Sequence, residues 1–460
     1  MIDFEEHSEE MIEKLKELLE QKKYAELRAF LTELEPADIA LLLEEMKEET
    51  IPLLFRLLPK EPAAEVFVEL SPDSQEMLIR SFSNTELKEV LDELYLDDAV
   101  DIVEEMPAGV VKRILQYADP DTRKSINEIL KYPEDSAGAF MTTEFVDLKR
   151  DMTVGEALQR IRRTGTDKET INVCYVTDER RRLLGIVSLR SLLLSEEDQT
   201  IGQIMQTHTI SVSTLEDKEA VAQTFSKYDF IALPVVDTEN RLVGIITVDD
   251  AIDVMEAEVT EDIEKMAAML PSDKPYLRTS VWETFKSRIP WLLLLMVSAT
   301  FTGQIIAGFE NALSAFAVLT AYIPMLMDTG GNCGSQASVT VIRGISLGEI
   351  EFRDLIRVIW KEIRVAVLCG AALAAANFCK IMLVDKMLFH NPITVSVALV
   401  ICLTLVFTVF AAKIVGCTLP LLAKKAGFDP AVMASPFITT VVDAISLMIY
   451  FRFAALLLGI

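Results

Sequence analysis

The chain has 460 residues, 51% of them hydrophobic, with a mean hydropathy of +0.30; it has room for two or three domains and is too apolar for an ordinary soluble protein. Its 71 acidic and 44 basic residues give a formal charge of -27, which argues against nucleic acid and against docking on anionic lipid, and invites cations. The six cysteines have no ligand spacing and His7, His208 and His390 lie far apart, so the sequence offers no zinc or histidine-centred site and any metal chemistry must use oxygen.

The first residues, MIDFEEHSEE, are acidic and lack the basic and apolar regions of a signal peptide, so the soluble part is expected in the cytoplasm. From Pro36 to about Pro133 a helical hairpin repeats, starting near Ala37, Glu61, Asn84 and Ala108, a period at which stacked repeats form a superhelical solenoid. Residues 1–135 are thus expected to be an acidic all-α domain. A docking or ion-sensing surface and a plain helical spacer are the two readings of its role.

A second duplication follows. Segments 141–161 and 185–193 resemble 205–225 and 244–252, each copy in a β-α-β-β-α order with an apolar strand before a basic turn and a Gly-containing strand. This looks like a tandem pair of α/β CBS domains, 136–203 and 204–257. In that family a Thr or Ser followed three residues later by Asp can hold the ribose of an adenine nucleotide. Thr247 and Asp250 fit, and the first copy has Ser188 and Ser191 without the Asp, so ATP would have one site; a purely structural role for the pair is the alternative.

Residues 249–264, DDAIDVMEAEVTEDIE, contain eight carboxylates and no base on a stretch that reads as a helix toward the membrane, within a connecting segment 252–280. A solvated face is one reading. The other is a divalent-cation site, because like charges at i and i+4 destabilise an isolated helix and a bound cation relieves them. Asp97, Asp98, Asp101 and Asp229 are candidate opposing ligands.

Residues 281–460 are expected to be a membrane domain of five helices, roughly 289–309, 312–342, 362–384, 393–420 and 431–459, each about long enough to cross a bilayer. Lys286 and Arg288 precede the first span; Arg343, Arg353, Arg357, Lys361 and Arg364 lie between the second and third, and Lys424 and Lys425 between the fourth and fifth. Those loops are therefore assigned to the cytoplasm and the C-terminus to the outside, with Lys380 and Lys386 near the longer outer loop.

Two features break the apolar pattern. In 328-DTGGNCGSQAS-338, Gly330 and Gly334 make a small-xxx-small face for close helix approach, while Gly331 and Asn332 offer carbonyls and an amide; helix packing or a loosened helix end would also account for the motif. Asp328 is expected near such an irregularity. The second feature is Asp443, midway along the fifth span, with Pro436 before it and Thr439 and Thr440 one turn away. A carboxylate at that depth costs several kcal/mol and faces a cavity, a partner or an ion path. Lys413 is the one candidate basic mate, and a structural Lys–Asp pair is the competing reading. Mg2+, which takes six oxygen ligands and retains water, suits a lone carboxylate beside carbonyls. Two copies of Asp443 about a twofold axis would serve it better, so a homodimer is expected.

The order of parts, with GGNxG and SPFxTTxxD in the membrane portion, resembles the MgtE family of magnesium channels and transporters along essentially the whole chain. The resemblance implies that Asp443 is the selectivity carboxylate and that a connecting helix from about Ile252 to Arg278 acts as a plug. It also implies that cytoplasmic Mg2+ closes the pore through Asp229, Asp250, Asp253, Glu258, Glu261 and Asp262, with the solenoid aspartates matching less closely. Ser335 and Ser435 stand where relatives often carry Asn, placing hydroxyls where the family has amides. The expected function is a Mg2+-gated Mg2+ channel of the inner membrane. The alternatives are a carrier for Co2+, Ni2+ or Mn2+ and a nucleotide-sensing scaffold that moves no ion. No nucleophile–base pair, phosphate loop or metal-histidine motif suggests an enzyme.

Overall fold

The computed structural model describes residues 4–272, 276, 279–309, 317–433 and 435–458, which fall into two compact units, Met1–Met255 and Glu256–Ile460.

In the first unit the helices Pro36–Glu44, Lys60–Val68, Asn84–Leu91 and Ala108–Tyr117 begin 24 residues apart, each followed by a second helix: Ile51–Phe55, Pro72–Ser81, Leu96–Glu105 and Pro120–Ile129. Local chemistry sets the starts. Pro36, Pro72 and Pro120 occupy first helical positions, where the missing N–H would have no partner anyway. Ser83 and Glu86 form a reciprocal capping box, worth roughly 1 kcal/mol. No hairpin can bury its apolar stripe alone, so Leu43, Leu54, Leu78, Val100 and Ile114 join one continuous core, with Phe55, Phe67 and Phe82 in mutual ring contact at 5.4 to 6.2 Å.

The duplicated segment consists of two three-stranded sheets. Strand β1 (Phe145–Lys149) runs parallel to β2 (Thr170–Thr177), which is antiparallel to β3 (Leu183–Ser188). Strands β4 (Val212–Ser213), β5 (Ala232–Val236) and β6 (Leu242–Thr247) repeat that pattern. Gly244 explains the Gly in the repeated strand: a Cβ there would lie 2.7 Å from the Thr142 carbonyl oxygen, in the segment that exchanges two backbone hydrogen bonds with Ile245 at 2.8 Å. Gly185 stands in the same relation to the backbone of Gln206.

The acidic helix runs Val248–Met266 and is shorter than the expected Ile252–Arg278. Ala268 has a left-handed φ of 55°, and Pro271 disfavours helical geometry in the residue before it. Residues 273–275, 277 and 278 lie outside the described residues.

The second unit contains the long helices Val281–Gly308, Ile323–Ser346, Leu355–Lys380, Val395–Lys425 and Ser435–Leu458. Among the described residues, four stretches are long and apolar enough to cross a membrane: Val281–Gly308, Phe352–Leu388, Val395–Lys425 and Pro430–Leu458. Ile323–Ser346 has the length but its central DTGGNCGSQAS run dilutes its apolarity. That helix is unbroken, so neither the loosened end nor the irregularity expected near Asp328 is present. Close packing accounts for the glycines instead. A Cβ on Gly330 would lie 2.7 Å from Thr408 Cγ2, one on Gly331 2.5 Å from Thr439 Cγ2, and one on Gly334 2.8 Å from Ile438 Cγ2. The Gly-rich helix is thereby seated between Val395–Lys425 and Ser435–Leu458, over a core that includes Leu405, Val409, Val442 and Tyr450.

Candidate functional site

Asp443 stands near the middle of the 29-residue stretch Pro430–Leu458. Its Oδ1 is buried and has no hydrogen-bond partner, and the charge of Asp328 on the Gly-rich helix bears on it. Lys413 does not serve as its mate: Lys413 Nζ lies 3.7 Å from Glu362 Oε2, with both side chains almost wholly buried. The structural Lys–Asp pair is therefore absent, because the lysine is committed to Glu362 on the helix Leu355–Lys380. The Thr440 hydroxyl donates to the Pro436 carbonyl at 3.1 Å, the Thr439 methyl packs on Gly331, and Asn332 is exposed.

The sequence reading missed two buried polar groups here. Thr408 Oγ1, against Gly330, also lacks a partner. Lys380, counted above as an outer-loop charge, pairs with Asp385 at 3.0 Å, whose Oδ2 also accepts from the Tyr322 hydroxyl at 2.6 Å. The cause is a π-helical continuation, Ile381–Leu388, in which groups five apart align.

In the first unit, the helix Leu96–Glu105 brings Asp97 and Asp98 toward Asp250, Glu144 and Glu169. Asp97 is only 6% exposed. Burial first, and then Asp98, raises Asp97; burial first, and then Asp97, raises Asp250. Burial and the charges of Asp250 and Asp249 push Asp98 up to about 7, and burial with Asp97, Asp250 and Asp98 pushes Glu169 up to about 9. Glu169 Oε2 is buried without a partner. Asp101 is exposed one turn on, within reach of the Asp250 charge. Carboxylates that raise one another in this way fit a hard cation, which would stabilise their charged forms. Among the described residues, however, no three His, Cys, Asp or Glu side chains converge into a formed metal-ligand set.

Thr247 Oγ1 donates to Asp250 Oδ2 at 2.5 Å, so the two candidate ribose ligands hold each other. Ser188 and Ser191 repeat the contact at 2.8 Å in the first copy. Asp229 is an exposed, left-handed C-cap with φ 53°, and Asp253 is exposed.

Glu258, Glu261 and Asp262 belong to the second unit. Glu261 pairs at 2.5 Å with Lys265, which also reaches Asp429 at 2.7 Å. Burial opposes the charge on Lys265, but Asp429 and Glu261 outweigh it and raise its pKa. The acidic run therefore has a base one residue beyond the base-free window. Asp262 is raised by burial while accepting from Ser346 Oγ at 3.0 Å, and Met266 packs against Ile342 and Ala431.

The MgtE divalent cation transporter family model matches residues 323–453, the MgtE intracellular N domain model residues 34–135, and the CBS domain model residues 137–197 and 201–257. The magnesium transporter MgtE of Thermus thermophilus is 38% identical over 455 residues, 98% of this chain and 99% of that protein. The magnesium transporter MgtE of Bacillus subtilis is 32% identical over 447 residues, 97% of each. The crystal structure of the cytosolic domain of the Mg2+ channel MgtE in complex with ATP is similar at 40% identity and a TM-score of 0.51, over 53% of this chain and 99% of that one. Similarity at this level along almost the whole of both sequences places the chain in the MgtE family of divalent cation transporters.

Proposed function

We propose that this protein carries Mg2+ across the cell membrane along a path centred on Asp443, with Thr439, Thr440, Gly331 and Asn332 around it, and that cytoplasmic Mg2+ closes the path. The observation that carries the reading is the Asp443 carboxylate itself. It lies within an apolar helix, one oxygen buried and unpartnered, while Lys413, the one candidate basic mate, is committed to Glu362. A charge so placed is retained for an ion, and an oxygen-only site favours a hard cation.

Two copies of the chain would line the path. Asp328, Asn332, Gln336 and Thr340 recur every four residues along the Gly-rich helix and are all exposed in the single chain. A polar row facing lipid is costly; a second copy about a twofold axis covers it and brings two Asp443 carboxylates to one ion. The basic loops, which favour the cytoplasmic side of a membrane, support a cytoplasmic first unit and an outside C-terminus.

Closure follows from electrostatics. Without a cation the buried carboxylates around Asp97 and Asp250 repel one another; bound Mg2+ favours the arrangement that brings them together, and a ligand shifts an equilibrium only by its differential affinity. Asp101, Asp229, Asp253, Glu258, Glu261 and Asp262 are the further candidate regulatory ligands. ATP, which the relative's cytosolic domain holds, would enter at Thr247 and Asp250 by opening their mutual hydrogen bond.

Flux into proteoliposomes, measured in turn with Mg2+, Co2+, Ni2+ and Mn2+, tests the proposal. Mg2+ should pass and be inhibited by Mg2+ on the cytoplasmic face. Preference for a transition metal, or no flux of any ion, would overturn it.

A further inference from the structure

The cytoplasmic end of the helix Leu355–Lys380 carries a feature that the transport path does not use. Its buried residues, Glu362, Ala366, Gly370 and Asn377, mark the side packed on Val395–Lys425. Arg357, Trp360, Lys361, Arg364 and Leu368 lie on the opposite face at helical spacing, and all are exposed, Trp360 at 60% and Leu368 at 72%.

The charges on this face are not equally satisfied. Arg357 reaches Asp354 at 3.1 Å. Among the described residues Lys361 and Arg364 have no carboxylate partner; the Arg364 guanidinium lies 6.0 Å from the Trp360 ring centre. The carboxylate between them, Glu362, points inward to Lys413. In a chain of net charge -27, this is a local reversal of sign at the end of an apolar helix.

We infer that this face binds the headgroup of an anionic phospholipid, its phosphate between Lys361 and Arg364 and its acyl chains along Leu368 and Val367. The occupant is a lipid and not a free anion because the two cations, which have no carboxylate partner among the described residues, run directly into an exposed apolar stripe, a shape and polarity that an amphiphile matches and a free anion does not. Trp360 fits the depth, since indole rings prefer the boundary between headgroups and hydrocarbon. The whole-chain charge, read from composition, argues against anionic lipid; the local basic face carries the opposite sign and faces the bilayer. This inference rests on the helix crossing the membrane.

Native mass spectrometry of the full-length protein, with phosphatidylglycerol and phosphatidylcholine in competition, reads the preference. The expected result is about fivefold or greater retention of phosphatidylglycerol, falling toward parity in K361Q/R364Q and preserved in K361R/R364K. Raising ionic strength should collapse the wild-type preference, a readout that needs no variant. Equal retention of the two lipids by the wild type, an unchanged preference in K361Q/R364Q, or displacement of phosphatidylglycerol by millimolar inorganic phosphate would each overturn the inference. Resistance of the same protein to alkaline extraction from membranes reports insertion separately, so a missing lipid preference in inserted protein counts against the lipid site alone.

Discussion

Lys413 and Glu362 approach to 3.7 Å between two long apolar helices, with 6% and 11% of their side chains exposed. Removing one partner of such a pair strands a buried charge at a cost of about 3–5 kcal/mol, whereas removing both is nearly neutral. Lys413→Met and Glu362→Gln should each lower the thermal stability of the detergent-solubilised protein sharply. The double variant should recover most of the loss, and Mg2+ flux per folded molecule should survive in it. Abolished flux in a stable double variant would move this pair into the ion path.

The glycines of the Gly-rich helix make a graded prediction. A methyl on Gly331 would meet Thr439 Cγ2 at 2.5 Å, whereas one on Gly370 meets Val406 Cγ1 at an ordinary 3.4 Å. Gly331→Ala should therefore cost about 1–3 kcal/mol by overpacking, and Gly370→Ala much less. Comparing midpoints of thermal inactivation checks the order.

The carboxylates around Asp97 give a pH dependence of definite sign. Burial and like charges lift Asp98 to about 7 and Glu169 to about 9, from ordinary values of 3.8 and 4.5. The folded state then binds more protons than the unfolded state across that interval, so stability is fully present below the ordinary carboxylate range and is lost as pH rises through the raised values. In chelator, hydrogen-exchange protection of helix Leu96–Glu105 should fall between pH 5 and pH 9, by on the order of 1 kcal/mol per group. Mg2+ should restore it most at the alkaline end. Protection that rises with pH in chelator would contradict the cluster as described.

Lys265 supplies an internal cation to Glu261 and Asp429. Replacing it by Met leaves both carboxylates to be neutralised from solution. The Mg2+ concentration that half-closes transport should then rise, by roughly fivefold, in flux titrated with cytoplasmic Mg2+. Asp429→Asn alone should shift it less.

Periodicity and composition made the soluble half legible. The regular spacing of the hairpin starts, the two copies of a strand containing a close-approach glycine, and the apolar runs each follow from a rule that acts along the chain. Asp443 was legible for the opposite reason, as a lone carboxylate where hydrocarbon is expected. Partners were not legible. Lys413 is equally available to Glu362 and Asp443 until helix rotation chooses, and Asp385 meets Lys380 only through a π-helical spacing that a 3.6-residue period does not anticipate. Likewise the motif glycines are consistent with a kink or with close packing, and only the positions of Thr408, Thr439 and Ile438 decide between them. The bases Arg357, Lys361 and Arg364 were legible as loop charges, but the helix begins at Leu355 and not near residue 362, and only that earlier start puts them on one exposed helix face.

The most direct test of the account is Mg2+ flux into proteoliposomes containing Asp443→Asn, a near-isosteric change that keeps the helix and removes the charge. The account predicts that flux falls to the level of empty liposomes while thermal stability holds or rises, since a buried unpaired carboxylate is lost. Wild-type flux through stable Asp443→Asn protein would contradict the claim that this carboxylate selects the ion.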